Sequence, residues 1–332
     1  PDGGATSDDA APSTADASPP PMGLVPMFVA AGQGGRTVTS CDDGRTWVAN
    51  HQYEDSNQDH SPYTHKGLAY GDGVFMVLLA WGADASIKVS DDGVNWRRQT
   101  GIGRGFYGGL AWGGGVFAMI RQEVGQNSLD GGKTWVRARV QPDTDVREGG
   151  GGGDATTGVF AGGGSSRAPS MSWDKGQTWR TASACGGMNF GGIGQVGGMA
   201  YGNGTLVIVG EDGAVCRVTE GGAKSERGSL GGGVSGKLFF LGDRFWVPNG
   251  NSAKTSTDGA TWSNRSFKPA TVSIHSIARG PTGTFVGVDK GGDKFFRSED
   301  GETWTTSPGP SGPDLFRVVA GYGKPSATCP AP

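Results

Sequence analysis

The richest stretch of reactive side chains in this chain covers residues 50–66, which hold three of its four histidines. Those three are His51, His60 and His65, and Tyr63 lies among them. Imidazole transfers protons near neutral pH, and a neighbouring phenol can serve as a second proton donor or acceptor. We therefore predict that His60, Tyr63 and His65 are catalytic.

The same residues also fit a metal site, because imidazole and carboxylate ligands together bind zinc and related divalent cations. The candidate ligands are His51, Asp59, His60 and His65. No other cofactor is indicated, and the four cysteines include no Cys-x-x-Cys pair that would hold a metal through thiolates. A third interpretation is a solvated polar loop without chemistry.

A second set of candidates follows short apolar segments that we interpret as strands. Aromatic faces stack on sugar rings, and a few polar groups recognise the hydroxyls. The predicted substrate-binding residues are Trp81, Asp84, Arg104, Tyr107, Arg121 and Asp212. A glycosidase needs two carboxyl groups a short distance apart, and Glu123 with Glu211 is the candidate catalytic pair, with Asp84 as an alternative to Glu211. Each of these residues could instead be an ordinary surface residue.

A phrase of Ser, Asp, Gly and Trp recurs six times, and it predicts the frame that must position these residues. The copies occupy residues 40–47, 90–96, 128–135, 172–179, 256–262 and 298–304. The Asp can accept hydrogen bonds from backbone N–H groups of a tight turn, Gly tolerates positive φ, and Trp packs between sheets. Recurrence about every 40 residues is typical of a β-propeller. We call each copy a Ser–Asp turn.

The phrase resembles the Asp-box, or BNR repeat, of sialidase-like β-propellers. The resemblance implies the fold and a structural role for the turns. It does not extend to sialidase activity, because residues 24–28 hold no counterpart of the Arg-Ile-Pro phrase of those enzymes. A seventh, decayed copy at 219–225 lacks both Asp and Trp. We predict an all-β chain that forms one seven-bladed β-propeller over residues 23–332.

The first blade lacks an innermost strand before residues 27–31, and a matching apolar segment occurs at Leu315–Gly323. We predict that this C-terminal strand joins the first blade and closes the ring, which hides sheet edges. Residues 1–22 are rich in Pro, Ala, Ser and Asp, and we predict a disordered linker there.

The segment Asp59-His60-Ser61-Pro62 is similar to a pattern in propeller polysaccharide lyases. In those enzymes a His and a Tyr act as base and acid on chains of uronic acid. The resemblance covers a short stretch and implies these roles for His60 and Tyr63.

The four cysteines predict two disulfides. Cys41 lies in the first blade and Cys329 follows the strand that should complete that blade, so we pair these two. The remaining pair, Cys185 and Cys216, would bridge adjacent blades. Paired cysteines indicate an oxidising compartment, and we expect a protein that is secreted, periplasmic or tethered to the cell surface through residues 1–22. The alternative is four separate buried thiols.

The charge balance narrows the range of partners. The net charge is −3, and residues 1–22 contain four Asp and neither Lys nor Arg, which leaves about +1 for the remainder. This favours neither nucleic acid nor a polybasic membrane patch. No run of 18 apolar residues occurs, so we predict no transmembrane segment. A start at Pro1 fits removal of a signal peptide, and we expect a monomer.

Three functions fit these features. The first is a secreted carbohydrate-active enzyme, a lyase or hydrolase of an acidic polysaccharide, with its site on the face formed by the loops between blades. The second is a non-catalytic extracellular propeller that binds a glycan, a peptide or an envelope partner. The third is a structural component of an extracellular assembly, docked through residues 1–22. Three histidines in one loop favour the enzyme.

Overall fold

The computed structural model describes residues 23–51, 65–79, 86–99, 107–121, 124–139, 148–153, 156–163, 168–188, 198–234 and 237–331. These residues form seven four-stranded antiparallel sheets. The innermost strand of each sheet contacts the innermost strand of the next, around to the first. The chain is therefore a seven-bladed β-propeller, as the repeat predicts.

The strands are numbered in chain order and grouped by blade. Blade 1 has β1 (Val25–Gly32), β2 (Thr37–Ser40) and β3 (Val48–His51); blade 2 has β4 (His65–Gly71), β5 (Val74–Leu79), β6 (Ser86–Ser90) and β7 (Arg97–Gln99). Blade 3 has β8 (Tyr107–Gly113), β9 (Val116–Arg121), β10 (Val124–Ser128) and β11 (Val136–Arg139); blade 4 has β12 (Glu148–Gly152), β13 (Val159–Gly163), β14 (Ser170–Ser172) and β15 (Arg180–Thr181). Blade 5 has β16 (Gly198–Gly202), β17 (Thr205–Val209), β18 (Ala214–Thr219) and β19 (Lys224–Ser229); blade 6 has β20 (Phe239–Leu241), β21 (Arg244–Pro248), β22 (Ser252–Ser256) and β23 (Ser263–Ser266). Blade 7 has β24 (Ser276–Arg279), β25 (Phe285–Val288), β26 (Phe295–Ser298) and β27 (Thr305–Ser307), and β28 (Leu315–Gly323) follows. Single 3₁₀ turns occur at Gln33–Gly35, Ser183–Cys185 and Glu220–Gly222.

The ring closes through the last strand. β28 pairs antiparallel with β1 from Val25 opposite Gly323 to Gly32 opposite Leu315, and so supplies the innermost strand of blade 1. The predicted closure is confirmed, with the predicted bounds.

The hydrophobic core lies between the blades. Among the described residues, one apolar cluster fills each of the seven blade–blade interfaces. Trp47, Trp179 and Trp304 of the Ser–Asp turns are buried in three of these clusters. Each blade is therefore stabilised by burying both of its faces against its neighbours.

The Ser–Asp turns interlock neighbouring blades. In all six, the Ser hydroxyl donates to the Asp carboxylate over 2.7–2.9 Å. The Gly of each turn has positive φ and abuts the preceding blade. At Gly44, with φ +79°, an added Cβ would lie 2.5 Å from Cγ2 of Val286 in blade 7. The glycine of each turn is thus required both for its positive φ and for the close contact with the preceding blade.

A second repeated contact lies on the innermost strands. The Trp112 ring of β8 covers Gly71 of β4, and the Tyr70 ring of β4 covers Gly321 of β28, leaving no room for a Cβ at either glycine. An aromatic residue followed by Gly recurs because each ring needs the glycine of the preceding blade.

Both predicted disulfides are present. Cys41 bonds Cys329, and Cys185 bonds Cys216, each with a Cα–Cα distance of 5.6 Å. The first joins the turn of blade 1 to the segment after β28. The second joins the segment after blade 4 to β18 of blade 5.

Candidate functional site

The antiparallel order of the strands sorts the connections onto two faces. Turns between the first and second strands of a blade, and the Ser–Asp turns between the third and fourth, lie on one face, which we call the turn face. Connections between the second and third strands, and those between blades, lie on the opposite face, which we call the open face. The predicted site residues that the structure describes all lie at the open face.

The structure places some of the predicted residues by their backbone. His51 ends β3 and His65 begins β4, so the two histidines flank the connection from blade 1 to blade 2. Tyr107 and Arg121 lie directly opposite each other on β8 and β9, at the open-face end of blade 3. Seven predicted residues lie outside the described residues: Asp59, His60, Tyr63, Trp81, Asp84, Arg104 and Glu123.

Glu211 and Asp212 are described, and they belong to the turn between β17 and β18 of blade 5. The Asp212 carboxylate accepts a hydrogen bond from the Ala214 backbone N–H at 3.1 Å. The Glu211 carbonyl accepts one from the Val234 N–H at 3.3 Å. These contacts shape the turn. The pairing of Glu211 with Glu123 remains a prediction.

The described part of the open face contains a buried polar group that the sequence analysis did not identify. Thr37 and Ser86 begin the third strands of blades 1 and 2, and Lys88 follows on the same face of its strand as Ser86. Thr37 is 0% exposed and Ser86 and Lys88 are each 1% exposed. We call these three residues the junction cluster.

Contacts around the junction cluster place it between blades 1 and 2. A Cβ added to Gly35, in the open-face connection of blade 1, would lie 3.0 Å from Nζ of Lys88. Thr39, two residues beyond Thr37, donates to the Gly93 carbonyl of blade 2 at 2.7 Å. His51 pairs with Thr37 in the sheet of blade 1. The cluster therefore lies beneath the strand ends that carry two of the predicted histidines.

The junction cluster places one buried positive charge and two hydroxyls between blades 1 and 2. A buried ammonium exerts its charge in a medium of low dielectric constant, where it is worth more than in water. The Thr37 and Ser86 hydroxyl oxygens have no hydrogen-bond partner among the described residues, and a buried hydroxyl without a partner is costly. A sequence signal existed: Lys88 interrupts the otherwise apolar Ile-Lys-Val of β6.

A second missed residue, Arg36, has a structural role. It is 6% exposed, and its guanidinium donates to the carbonyl oxygens of Gly292 at 2.9 Å, Pro310 at 2.6 Å and Pro313. These contacts tie the open-face connection of blade 1 to that of blade 7.

The Asp that accepts from the Ser hydroxyl in each Ser–Asp turn is engaged within its own turn. The Thr134 hydroxyl, with the Thr134 N–H, lowers the pKa of Asp130 to about 2. Backbone hydrogen bonds from Thr261 and Ala260 lower the pKa of Asp258. These carboxylates are held as anions by turn donors, which is a structural use of their charge. Across the described residues, His, Cys, Asp and Glu form no group of three that could hold a metal ion.

No helix within the described ranges is long and apolar enough to cross a membrane.

Comparisons with known proteins identify the fold of this chain. Neither a protein-family model nor a curated protein sequence matches the chain. Similar solved structures include streptogramin B lyase, with a TM-score of 0.57 and 14% identity over 75% of this chain and 84% of that one. Virginiamycin B lyase from Staphylococcus aureus has a TM-score of 0.54 and 13% identity over 74% of this chain and 84% of that one. The structure of YCF48 bound to D1 peptide has a TM-score of 0.54 and 17% identity over 84% of this chain and 91% of that one. At these identities the likeness is one of fold, and what it shows is that the chain is a seven-bladed β-propeller.

Proposed function

We propose that the chain is a secreted carbohydrate-active propeller that cleaves an acidic polysaccharide by elimination at the junction of blades 1 and 2. The observation that carries the proposal is the junction cluster, a buried ammonium and two unpartnered hydroxyls beneath strand ends that carry His51 and His65. The two disulfides support an oxidising, extracellular location.

Elimination from a uronic acid chain needs a positive charge, a base and an acid. A cation near the uronate carboxylate makes the neighbouring C–H more acidic, the base removes that proton, and the glycosidic oxygen leaves with a proton from the acid. Lys88 supplies the positive potential, and His60 and Tyr63 are the proposed base and acid. His65 begins the strand that follows them. The products are a shortened chain and an unsaturated sugar.

Elimination ranks ahead of hydrolysis because the Lys88 cation lies at the junction where the strands that carry His51 and His65 end. Hydrolysis would need the Glu123 and Glu211 carboxyl groups to meet across the channel, and Glu211 belongs to a turn of blade 5. A divalent cation held by His51, Asp59, His60 and His65 would serve the same purpose as Lys88, as a Lewis acid toward the carboxylate.

The test is an ultraviolet assay for unsaturated product on a panel of polyuronates, with neutral dextran as the negative substrate. We expect product from at least one polyuronate, loss of at least about 100-fold in His60→Ala, and wild-type activity in His275→Ala. His275 is the matched control because it is the fourth histidine and lies between blades 6 and 7. Full activity in His60→Ala would remove His60 from the mechanism.

A second candidate is a non-catalytic extracellular binding propeller for a glycan, a peptide or an envelope partner. An exposed apolar groove between blades 3 and 4 favours it. Saturable binding of a polymer by the wild-type protein, with no product from any member of the panel, would establish this candidate over the enzyme.

A further inference from the structure

A repeated hydrogen bond joins the third strand of one blade to the Ser–Asp turn of the next. Arg217 Nε donates to the Asp258 carbonyl at 2.7 Å. Arg297 Nε donates to the Asp43 carbonyl at 2.9 Å. Asn127 Nδ2 makes the equivalent bond from blade 3 to blade 4, to the Lys175 carbonyl at 3.1 Å.

The two arginines that make this bond reach further across the crevice between the blades than Asn127 does. Arg297 extends to ion pairs with Asp43 at 2.9 Å and Glu299 at 3.2 Å, and Arg217 to one with Glu226 at 3.3 Å. Asn127 makes the same interblade bond but ends there. Beside it a groove of about 380 Å³ is open between blades 3 and 4, a volume suited to a few side chains or a small ligand.

The groove is lined by the two most exposed large hydrophobic side chains of the described residues. Leu129 is 77% exposed and Val136 is 67% exposed. At the position of Leu129, two other turns carry covered residues, since Cys41 is in a disulfide and Trp173 packs edge-on against Tyr201 at 5.5 Å. The remaining three turns carry the polar residues Asp91, Thr257 and Glu299 there. Exposed apolar residues beside an open groove are typical of an interaction site.

The charges at the groove favour an acidic partner. Arg137 and Lys175 line it, and so does Asp130. The Asp130 carboxylate is already engaged by Ser128 and Thr134, and its lowered pKa reflects those bonds. Two cationic side chains therefore remain to meet carboxylates from a partner.

The edge of blade 3 offers backbone groups beside the groove. β11, which begins at Val136, is the outermost strand and pairs only with β10 among the described strands. An outer strand can accept an extended peptide through main-chain hydrogen bonds, while side-chain pockets select its sequence.

We propose that this groove binds an extended acidic peptide, which adds to β11 and places aliphatic side chains against Leu129 and Val136 and carboxylates near Arg137 and Lys175. This activity is separate from the polysaccharide site, because the groove is on the turn face and the junction cluster is on the open face.

The test uses two synthetic seven-residue peptides with a fluorescent label. In the first, Val and Glu alternate along one face of the strand and Thr occupies the other face; the second has Lys in place of Glu. Binding is measured by fluorescence anisotropy. We expect the acidic peptide to bind at least about tenfold more tightly than the basic one, since about 1.4 kcal/mol of charge interaction gives that factor.

Two variants locate the binding. Asn127→Arg should extend a longer side chain into the groove and reduce affinity at least about tenfold without lowering Tm. Should that variant fail to fold, the double variant Leu129→Ser with Val136→Thr changes only exposed side chains and should weaken binding similarly. Val48→Thr, at the equivalent position of blade 1, is the control and should bind as wild type.

Failure of the acidic peptide to bind would overturn the proposal, and so would equal binding of both peptides. Unchanged affinity in a folded Asn127→Arg, or an equal loss in Val48→Thr, would also overturn it.

Discussion

Removing the disulfide that closes the ring should cost more stability than removing the other one. Cys41–Cys329 spans 288 residues and Cys185–Cys216 spans 31, while their Cα–Cα distances are the same. The chain-entropy treatment gives about 6 kcal/mol for the longer loop and about 4 kcal/mol for the shorter, with measured values commonly about 2–4 kcal/mol. The expected difference in unfolding free energy is therefore about 2 kcal/mol.

The assay is guanidinium unfolding of the two double Cys→Ala variants beside the wild-type protein. Alanine avoids placing a serine hydroxyl at Cys185, Cys216 or Cys329, each of which is 0% exposed. Hydrogen exchange of the β28 amides should accelerate in the variant without Cys41–Cys329 and not in the other. An equal loss in both variants, or a larger loss without Cys185–Cys216, would refute the argument that the long bond restrains the ring.

Two further predictions concern the Ser–Asp turns. Gly44→Ala should destabilise the fold by about 2–4 kcal/mol in thermal unfolding, because the new Cβ would crowd Val286 at positive φ; Gly73→Ala, at similar φ in open space, should cost only about 1 kcal/mol, and equal losses would contradict the packing argument. The depressed pKa of Asp130 stabilises the fold above its unfolded value of 3.8, and this contribution should fade as the pH falls from about 4 to about 2. Thr134→Val should reduce that pH dependence in acid titration of stability, and an unchanged profile would exclude Thr134 as the cause.

The sequence predicts the architecture well because local chemistry repeats. The Ser–Asp hydrogen bond of each turn lies within the turn, so the six copies can be recognised from the sequence without any knowledge of the neighbouring blades. The closing strand could be identified because Leu315–Gly323 matches the one strand that blade 1 lacks, and the Cys41–Cys329 bond follows from that placement. The turns follow from the chemistry of neighbouring residues, and the closing strand and its disulfide follow from counting the strands that each blade needs.

The junction cluster and the groove could not be predicted in the same way. Lys88 lies in a short strand like any other, and its burial depends on Gly35 of a different blade. The groove lies beside Asn127, which makes the same interblade hydrogen bond as Arg217 and Arg297 with a shorter side chain, and this comparison needs the strand register. Polar contacts between blades depend on which side chains of two neighbouring sheets face each other, and a single sequence does not show that pairing.

The most direct test of the central proposal compares cleavage of a polyuronate with cleavage of its methyl ester by the wild-type protein and by Lys88→Met. If the Lys88 ammonium acts on the substrate carboxylate, the wild type should prefer the free acid, and Lys88→Met should lose that preference while keeping its fold. The same acid-to-ester ratio in both proteins would contradict the proposed role of the junction cluster, and no product from either polymer would contradict the elimination itself.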